Sequence, residues 1–470
     1  MPEYLYHQLE RQLRQKISSG QFACFSKLPS VRELCRDSKL SKSTVLAAYA
    51  RLEADGLIEA KAKSGYYVCQ HQDPEKPQLS TPATSSPQSL PMLITRTQLI
   101  LDIMQRGAAF DLLSNSAPQP HNQQLRKALS RALRNQSSDQ QLYYDQPQGD
   151  KKLRLQLANC INQGGGHLSA ADLIITSGCQ HSLLLALMAT TEPGDLVAIE
   201  SPGFYGALQL LEALGRKVLE IPSSATDGIS PDALQLATEH WDIKALLISP
   251  NFATPTGSCM PQDNKRRVLA LAQQKNFAII EDDIYAELHF SLQRPRSLYS
   301  YDQSGCVLLC SSLAKTLSRD LRLGWIAAGK YHDKILGLKV ATCMANSISQ
   351  QQGVALFIGE GGLDKHLKLR RQQLHSQKQQ LQSLISQYLP MAKSASQPQG
   401  GVVLWLELQE NINSLELYRR ARAQGLTITP GSIFSAQDTY QNFLRLSFAH
   451  CWTPQRIEAI KTLAKLIEDY

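Results

Sequence analysis
No apolar run in the 470 residues reaches the roughly 18 that a membrane span needs, which argues against a spanning helix. The chain starts Met1-Pro2-Glu3-Tyr4, without the basic-then-apolar pattern of a secretory leader, so a cytoplasmic protein is expected. None of the ten cysteines forms a CxxC pair, and Cys306 and Cys310 sit in a strand-like run ill suited to a zinc knuckle. Buried thiols rather than disulfides or metal ligands follow, and no metal is expected. Internal repeats are missing as well. What is present is a hydrophobic content of 43% and a charged content of 19%, the balance of a globular protein. A chain of 470 residues exceeds what one core usually serves, so two or three domains are expected.

Charge is unevenly spread. Residues 1–70 hold eleven Lys and Arg against seven Asp and Glu, a net +4, while the whole chain carries +8. That is a mild pointer to a polyanion. A Pro-, Ser-, Thr- and Gln-rich stretch over 70–91 buries almost nothing and reads as a partly extended linker. It separates residues 1–69 from 92–470.

The first unit opens with Leu5, Leu9, Leu13 and Ile17 at helical spacing. Ser30 and Glu33 form a capping box for a second helix, and Ser41 caps a third that Gly56 stops. Two short strands, Leu57–Ala60 and Tyr66–Val68, are joined through Lys61, Lys63, Ser64 and Gly65. Three helices and a basic hairpin make a winged helix-turn-helix, an α unit with a small β-wing. In that motif the start of the third helix, here Lys42, Ser43 and Thr44, reaches base edges. Arg32 can reach phosphate or guanine, and Lys61, Lys63 and Gly65 lie where a wing follows the backbone. Any one of these charges could equally be a solvated surface; the pattern carries the argument. It resembles the GntR-type winged helix over about residues 4–68, through Leu28-Pro29-Ser30-Val31-Arg32-Glu33-Leu34, Ser41-Lys42-Ser43-Thr44-Val45 and Ser64-Gly65-Tyr66-Tyr67-Val68. Lys42 stands where that family usually has Arg and lacks the bidentate fork.

Beyond the linker, strand-like segments at Leu173–Thr176, Val197–Glu200, Ala245–Ser249, Phe277–Glu281, Val307–Cys310 and Trp325–Ala328 alternate with helical ones. They predict a mostly parallel sheet covered on both faces. Strands at Gly401–Leu408 and Phe443–Phe448, with helices near Ser414–Gln424 and Thr453–Ile467, predict a smaller α+β domain. The expected division is a large domain over about 110–335 and a small one over about 336–470.

Four elements in this part carry chemistry, each with an ordinary structural reading when taken alone. Thr176-Ser177-Gly178-Cys179-Gln180 is a small-residue turn into a helix N-terminus, which can bind phosphate through backbone N–H groups. Asp282 ends an apolar strand, where a carboxylate can pair with a pyridinium nitrogen. Lys315 follows another strand, and a lysine there can form a Schiff base. Arg322, seven residues on, can clamp phosphate.

In this order the elements resemble the fold-type I pyridoxal 5'-phosphate (PLP) enzymes of the aspartate aminotransferase family, over roughly residues 110–470. The resemblance implies PLP on Lys315, with Asp282 on the ring nitrogen and Tyr285 on the ring hydroxyl. It implies phosphate held by Cys179, Gln180, Ser312 and Arg322, helped by Tyr144 of the partner subunit. Phe204, or as second choice Tyr205, would stack on the ring. Arg445 would grip an amino acid's carboxylate. Three departures stand out. The family's Asn-Pro-Thr-Gly is here Thr254-Pro255-Thr256-Gly257, Ala314 replaces the usual Ser, and Cys179 is a poorer side-chain donor than the usual residues. Asn251 could stand in for the missing Asn, although the expectation is against it.

A GntR-type winged helix joined to an aminotransferase-like domain is the MocR architecture. It implies a homodimeric, PLP-dependent transcriptional regulator of a double-stranded DNA operator. An amino compound would form an external aldimine and bias the dimer's DNA-binding units. Two alternatives stay open: a DNA-binding protein with genuine transamination, and a regulator whose effector is PLP itself.

Overall fold
The computed structural model describes residues 5–18, 21–22, 26–55, 57–61, 64–68, 79–86, 111–113, 122–136, 145–437 and 439–470. It divides into two compact units, Met1–Pro77 and Gln78–Tyr470.

In the first unit, helices α1 (Leu5–Ser18), α2 (Val31–Ser38) and α3 (Lys42–Ala54) precede the antiparallel strands β1 (Ile58–Lys61) and β2 (Gly65–Val68). Both halves of the capping box form: Ser30 N donates to Glu33 Oε2 at 2.7 Å, and Glu33 N to Ser30 Oγ at 3.2 Å. Ser41 Oγ accepts from Thr44 N at 3.2 Å and starts α3. Leu9, Leu13, Ile17, Val45, Tyr49, Leu52, Ile58 and Val68 make the core. One pairing was not expected from sequence. Lys27 bridges Tyr67, with Leu28 N donating to Tyr66 O at 2.9 Å, so the segment before α2 adds a third short edge to the wing.

The second unit holds helices α4 (Gln123–Arg134) and α5 (Lys151–Gln163), then an eight-stranded sheet. Its strands are β3 (Leu173–Thr176), β4 (Leu196–Ser201), β5 (Lys217–Ser224), β6 (Gly228–Ile229), β7 (Ile243–Ile248), β8 (Ala278–Asp282), β9 (Val307–Ser312) and β10 (Gly324–Ala327). They run in the order β3-β10-β9-β8-β7-β4-β5-β6. β5, β4, β7, β8 and β9 pair in parallel, while β10 is antiparallel to both its neighbours and β6 to β5. The parallel strands are buried along nearly their whole length, as strands covered on both faces must be. Separate apolar clusters fill the two faces. Because parallel strands share a direction, β8 and β9 end side by side, with Asp282 opposite Cys310. That shared edge is where an open α/β sheet places ligands.

Helix α6 (Cys179–Thr190) follows β3, and α7 (Tyr205–Ala213) follows β4. The long helix α8 (Gly362–Tyr388) leads to a second, four-stranded sheet of β11 (Ser394–Ala395), β12 (Val403–Glu407), β13 (Thr429–Pro430) and β14 (Phe443–Ser447). Residues 79–86, within the expected linker, are hydrogen-bonded to strand edges. Ala395 N donates to Ser80 O at 2.8 Å, Ser85 N to Ser223 O at 3.1 Å, and Ser223 N to Ser85 Oγ at 2.8 Å. Serines that bury little apolar surface still dock a chain when their hydroxyls and amides complete exposed strand edges. Among the described residues, no helix is long and apolar enough to cross a membrane.

Candidate functional site
At the end of β3, Gly178 takes φ 108° and opens α6 without any side-chain cap. The first N–H groups of that helix therefore point out of the sheet edge, the arrangement that binds anions. The side chain of Arg322 lies against the same turn. Its Nη2 donates to Ser177 O at 3.2 Å, and a Cβ added to Gly178 would stand 3.5 Å from it. Ser312 is buried at the end of β9 and its Oγ accepts from Ala314 N at 3.3 Å. The Gln180 side chain, expected at the phosphate, instead donates to Gly206 O at 2.9 Å, so its backbone N–H is what it offers an anion. Phe204 caps α7 and rests on Gly206, where an added Cβ would come within 2.4 Å of Phe204 Cζ. Only glycine leaves the ring that position.

Asp282 is 4% exposed, and burial raises its carboxyl to about 6 even though the Cys179 thiol and the Ile284 amide both donate to it. Lys315, on the loop after β9, has its ammonium pushed down to about 7. Burial is the main cause, the Arg445 guanidinium adds to it, and Asp282 pulls the other way. Tyr285 is buried and its phenol is raised, chiefly by burial, while Arg445 opposes. Arg445, on β14, is 3% exposed; burial lowers its pKa, and Tyr205 and Tyr285 counter that. It donates to Thr429 Oγ1 at 3.3 Å and lies 5.4 Å from the centre of the Phe434 ring. Tyr205 packs edge-on to Phe434 at 5.7 Å, and so belongs with Arg445, whereas Phe204 packs against Gly206. Lys315, Asp282, Tyr285, Arg445 and Cys179 thus line one buried cleft, each electrostatically linked to at least one other.

Sequence reasoning missed two features here. The Cys179 thiol is aimed at Asp282 Oδ1, 3.3 Å away, not at a phosphate position. Glu200, at the end of β4, is buried and raised to about 8 by burial, although it accepts from Ser249 N at 3.0 Å. Both lie one step behind the recognisable motifs, and only the fold brings them to Asp282. Asn251 is engaged elsewhere: its Nδ2 donates to Asp283 Oδ1 at 2.8 Å and its Oδ1 accepts from Lys265 at 2.6 Å. Thr254 Oγ1 is buried and has no hydrogen-bond partner among the described residues. Tyr144 lies outside the described residues. A cavity of about 350 Å³ sits behind the lysine loop, lined by Ser312, Thr316, Asp283 and Arg294 but by neither Lys315 nor Asp282, so it is not this cleft.

In the first unit, Arg32, Lys42 and Ser43 are exposed and Thr44 is half-buried. Ser43 and Thr44 hydroxyls each lie 2.8 Å from Ser41 Oγ at the start of α3. Gly65 pairs with Lys61 across the wing at φ 114°. Lys63 and the Lys61 side chain lie outside what is described.

Two family models match. Residues 109–463 fit aminotransferase class I and II, and residues 5–68 fit the bacterial regulatory proteins of the gntR family. The chain is a MocR-type member of the class I and II aminotransferase family. Its relatives include the uncharacterized HTH-type transcriptional regulators YjiR and YdcR of Escherichia coli K12. The first is 38% identical over 98% of both chains, the second 34% over 99% of both. Among solved structures, a multiple substrate aminotransferase from Thermococcus profundus overlays with a TM-score of 0.71 at 23% identity, covering 80% of this chain and 96% of that one. The MocR-type chain therefore has the fold-type I architecture, and the cofactor of its family is PLP.

The donor set suits that group. A buried carboxylate at Asp282 wants a cation such as a pyridinium. Lys315 offers a primary amine, and the uncapped helix with Arg322 offers a phosphate cradle. Thr254 keeps a buried hydroxyl with no partner among the described residues.

Proposed function
We propose that this chain is a PLP-dependent, DNA-binding transcriptional regulator that senses a small amino compound carrying a carboxylate. The observation that carries the reading is the Lys315 amine, held near neutrality beside a buried carboxylate. A lysine at its ordinary pKa is almost fully protonated at neutral pH, whereas one near 7 is about half free base and nucleophilic. Bound there, PLP supplies an aldehyde that primary amines can condense with reversibly. Around it, Asp282 would hold the ring nitrogen's proton and Tyr285 would donate to the ring hydroxyl. Arg322, with the start of α6, would anchor the phosphate, and Ser312 would line the pocket. The buried Arg445 suits bidentate recognition of the effector's carboxylate. Arg445 is carried by the four-stranded sheet and Lys315 by the large one, so a compound touching both favours one arrangement of the two. A ligand shifts a regulator only through such differential affinity, and a swing from nearly off to nearly on needs a ratio of about 10⁴. Arg32, Lys42, Ser43, Thr44 and the Lys61–Gly65 wing would meet the operator, in a homodimer.

Retention of Lys315, Asp282 and Tyr285 together supports slow transamination as a second reading. The test is a visible absorption titration with PLP, comparing wild type with Lys315→Ala, then adding amino acids singly. A band in wild type alone, moved by one amino acid without loss of colour, supports a sensor. Bleaching with release of a keto acid supports the enzyme. A wild type without the band sinks the PLP reading.

A further inference from the structure
Cys179 is the first residue of α6, and the backbone turn at Gly178 faces its side chain inward, where it is 6% exposed. Its Sγ lies 3.3 Å from Asp282 Oδ1. A carboxylate can only accept, so the thiol is the donor. Burial, with Asp282 nearby, raises the Cys179 thiol well above its ordinary value, so it stays protonated and remains a donor at every working pH.

The other groups around Asp282 are acids, and Asp283 works directly against its charge. Glu200 comes from β4, Asp283 and Tyr285 from the chain that follows β8, and Cys310 from the neighbouring strand β9. Lys315 opposes them, but condensation with an aldehyde occupies that amine. The Cys179 thiol and the Ile284 amide are then the neutral donors left to hold the carboxylate ionised.

We propose that Cys179 is a positioning residue whose thiol fixes the Asp282 carboxylate, in orientation and in charge, as the partner of the cofactor's ring nitrogen. The inference rests on PLP binding at Lys315. It assigns this side chain to the ring nitrogen and leaves the phosphate to the backbone of α6 and to Arg322. Without the thiol, Asp282 loses a hydrogen bond in a site closed to water, takes up a proton more readily, and pairs less well with a pyridinium.

The experiment is a PLP titration of the full-length protein, followed by visible absorption from acid to mildly alkaline pH. Wild type and Lys315→Ala establish cofactor binding first, so a failure of the PLP reading is seen independently. Cys179→Ala should raise the apparent Kd for PLP toward tenfold as pH falls below 6, the ratio that goes with a tenfold change in the proton affinity of Asp282, by only about twofold at neutral pH, and should recover as pH rises. Cys179→Ser, a stronger donor, should bind at least as tightly, with its midpoint moved to lower pH. Cys310→Ala is the control, since that thiol reaches Leu308 O at 4.0 Å, and it should match wild type. A PLP analogue with carbon in place of the ring nitrogen should bind wild type and Cys179→Ala equally. The proposal is overturned if Cys179→Ala keeps the wild-type affinity and pH profile, if the carbon analogue is weakened as much as PLP, or if Cys310→Ala copies the shift. Should Cys179→Ala fail to fold, an unmoved midpoint in Cys179→Ser overturns it.

Discussion
The two units handle charge in opposite ways. In the first, Arg32 and Lys42 are exposed, and the partly buried Glu10 is shared among Arg14, Arg51 and His7. In the second, Asp282, Glu200, Lys315 and Arg445 stand in a cleft that burial dominates, and each departs from its ordinary proton affinity. Exposed charge can be reached by a polyanion and screened by salt. Buried charge costs desolvation and becomes chemically poised. On the function proposed above, one surface reads a long-range partner and a buried pocket reacts with a small one. With the other site's ligand left out, a change in either place should leave the other's signature intact.

The largest break in that comparison comes from Lys315→Ala. It should abolish the visible PLP band completely while leaving the affinity for a random-sequence duplex, in the absence of PLP, within twofold or so of wild type. A parallel collapse of both readouts would mean that the lysine serves folding rather than chemistry. Arg445→Gln comes next. Truncating one partner of a buried charge pair costs about 2–5 kcal/mol, so the amino compound's apparent affinity should fall roughly thirtyfold or more, with PLP binding retained. Spectral titration with the responsive amino acid checks this; an undiminished response places the carboxylate elsewhere.

Glu200 sharpens the contrast through pH. Its folded pKa, about 8, lies above the ordinary 4.5. Between those values the folded state keeps a proton that the unfolded state has released, so stability falls as pH rises through the window. Glu281, likewise buried and raised to about 8, acts in the same direction. Glu200→Gln keeps an acceptor for Ser249 N and removes one of these contributions. The variant should be the more stable protein above pH 8, by about 1.4 kcal/mol for every tenfold difference in proton affinity between the folded and unfolded carboxyl, and show a flatter pH profile. Denaturant unfolding of the PLP-free protein below and above the window measures it. A pH slope identical to wild type would show that Glu200 is not the group titrating.

How much of this could be read from the sequence follows the same division. The first unit's helices announced themselves because Ser30, Glu33 and Ser41 are local signals that act on residues three positions away. The bridge at Lys27 did not, since one residue before Leu28-Pro29 carries no strand periodicity. In the second unit the apolar strands bearing Asp282 and leading to Lys315 were legible. β5 was not, because Lys217–Ser224 ends in Pro222, Ser223 and Ser224 and mimics a loop. The residues that tune the cleft were the hardest. Whether Cys179 faces a phosphate or a carboxylate depends on the turn at Gly178 and on a strand a hundred residues away. Spacing placed Gln180 by its motif, but its side chain went to Gly206. Motifs gave the reacting groups, and packing chose their partners.

The smallest expected effect belongs to the surface. Lys42 begins α3 and is exposed, so removing it costs no core contact. If it meets a phosphate, Lys42→Ala should flatten the dependence of log Kobs on log salt by about 0.9, the counterion contribution of one contact, and weaken all sequences alike. If it reads a base, the salt slope should hold while the preference among operator variants narrows by about 1–3 kcal/mol at one position. Affinities for a specific and a random duplex across a salt series separate these. In both cases the PLP band should be unchanged, because nothing about a solvated lysine perturbs a cleft whose charges are set by burial. A shifted band in the DNA-free protein would break the separation, because no operator is then present to carry the change.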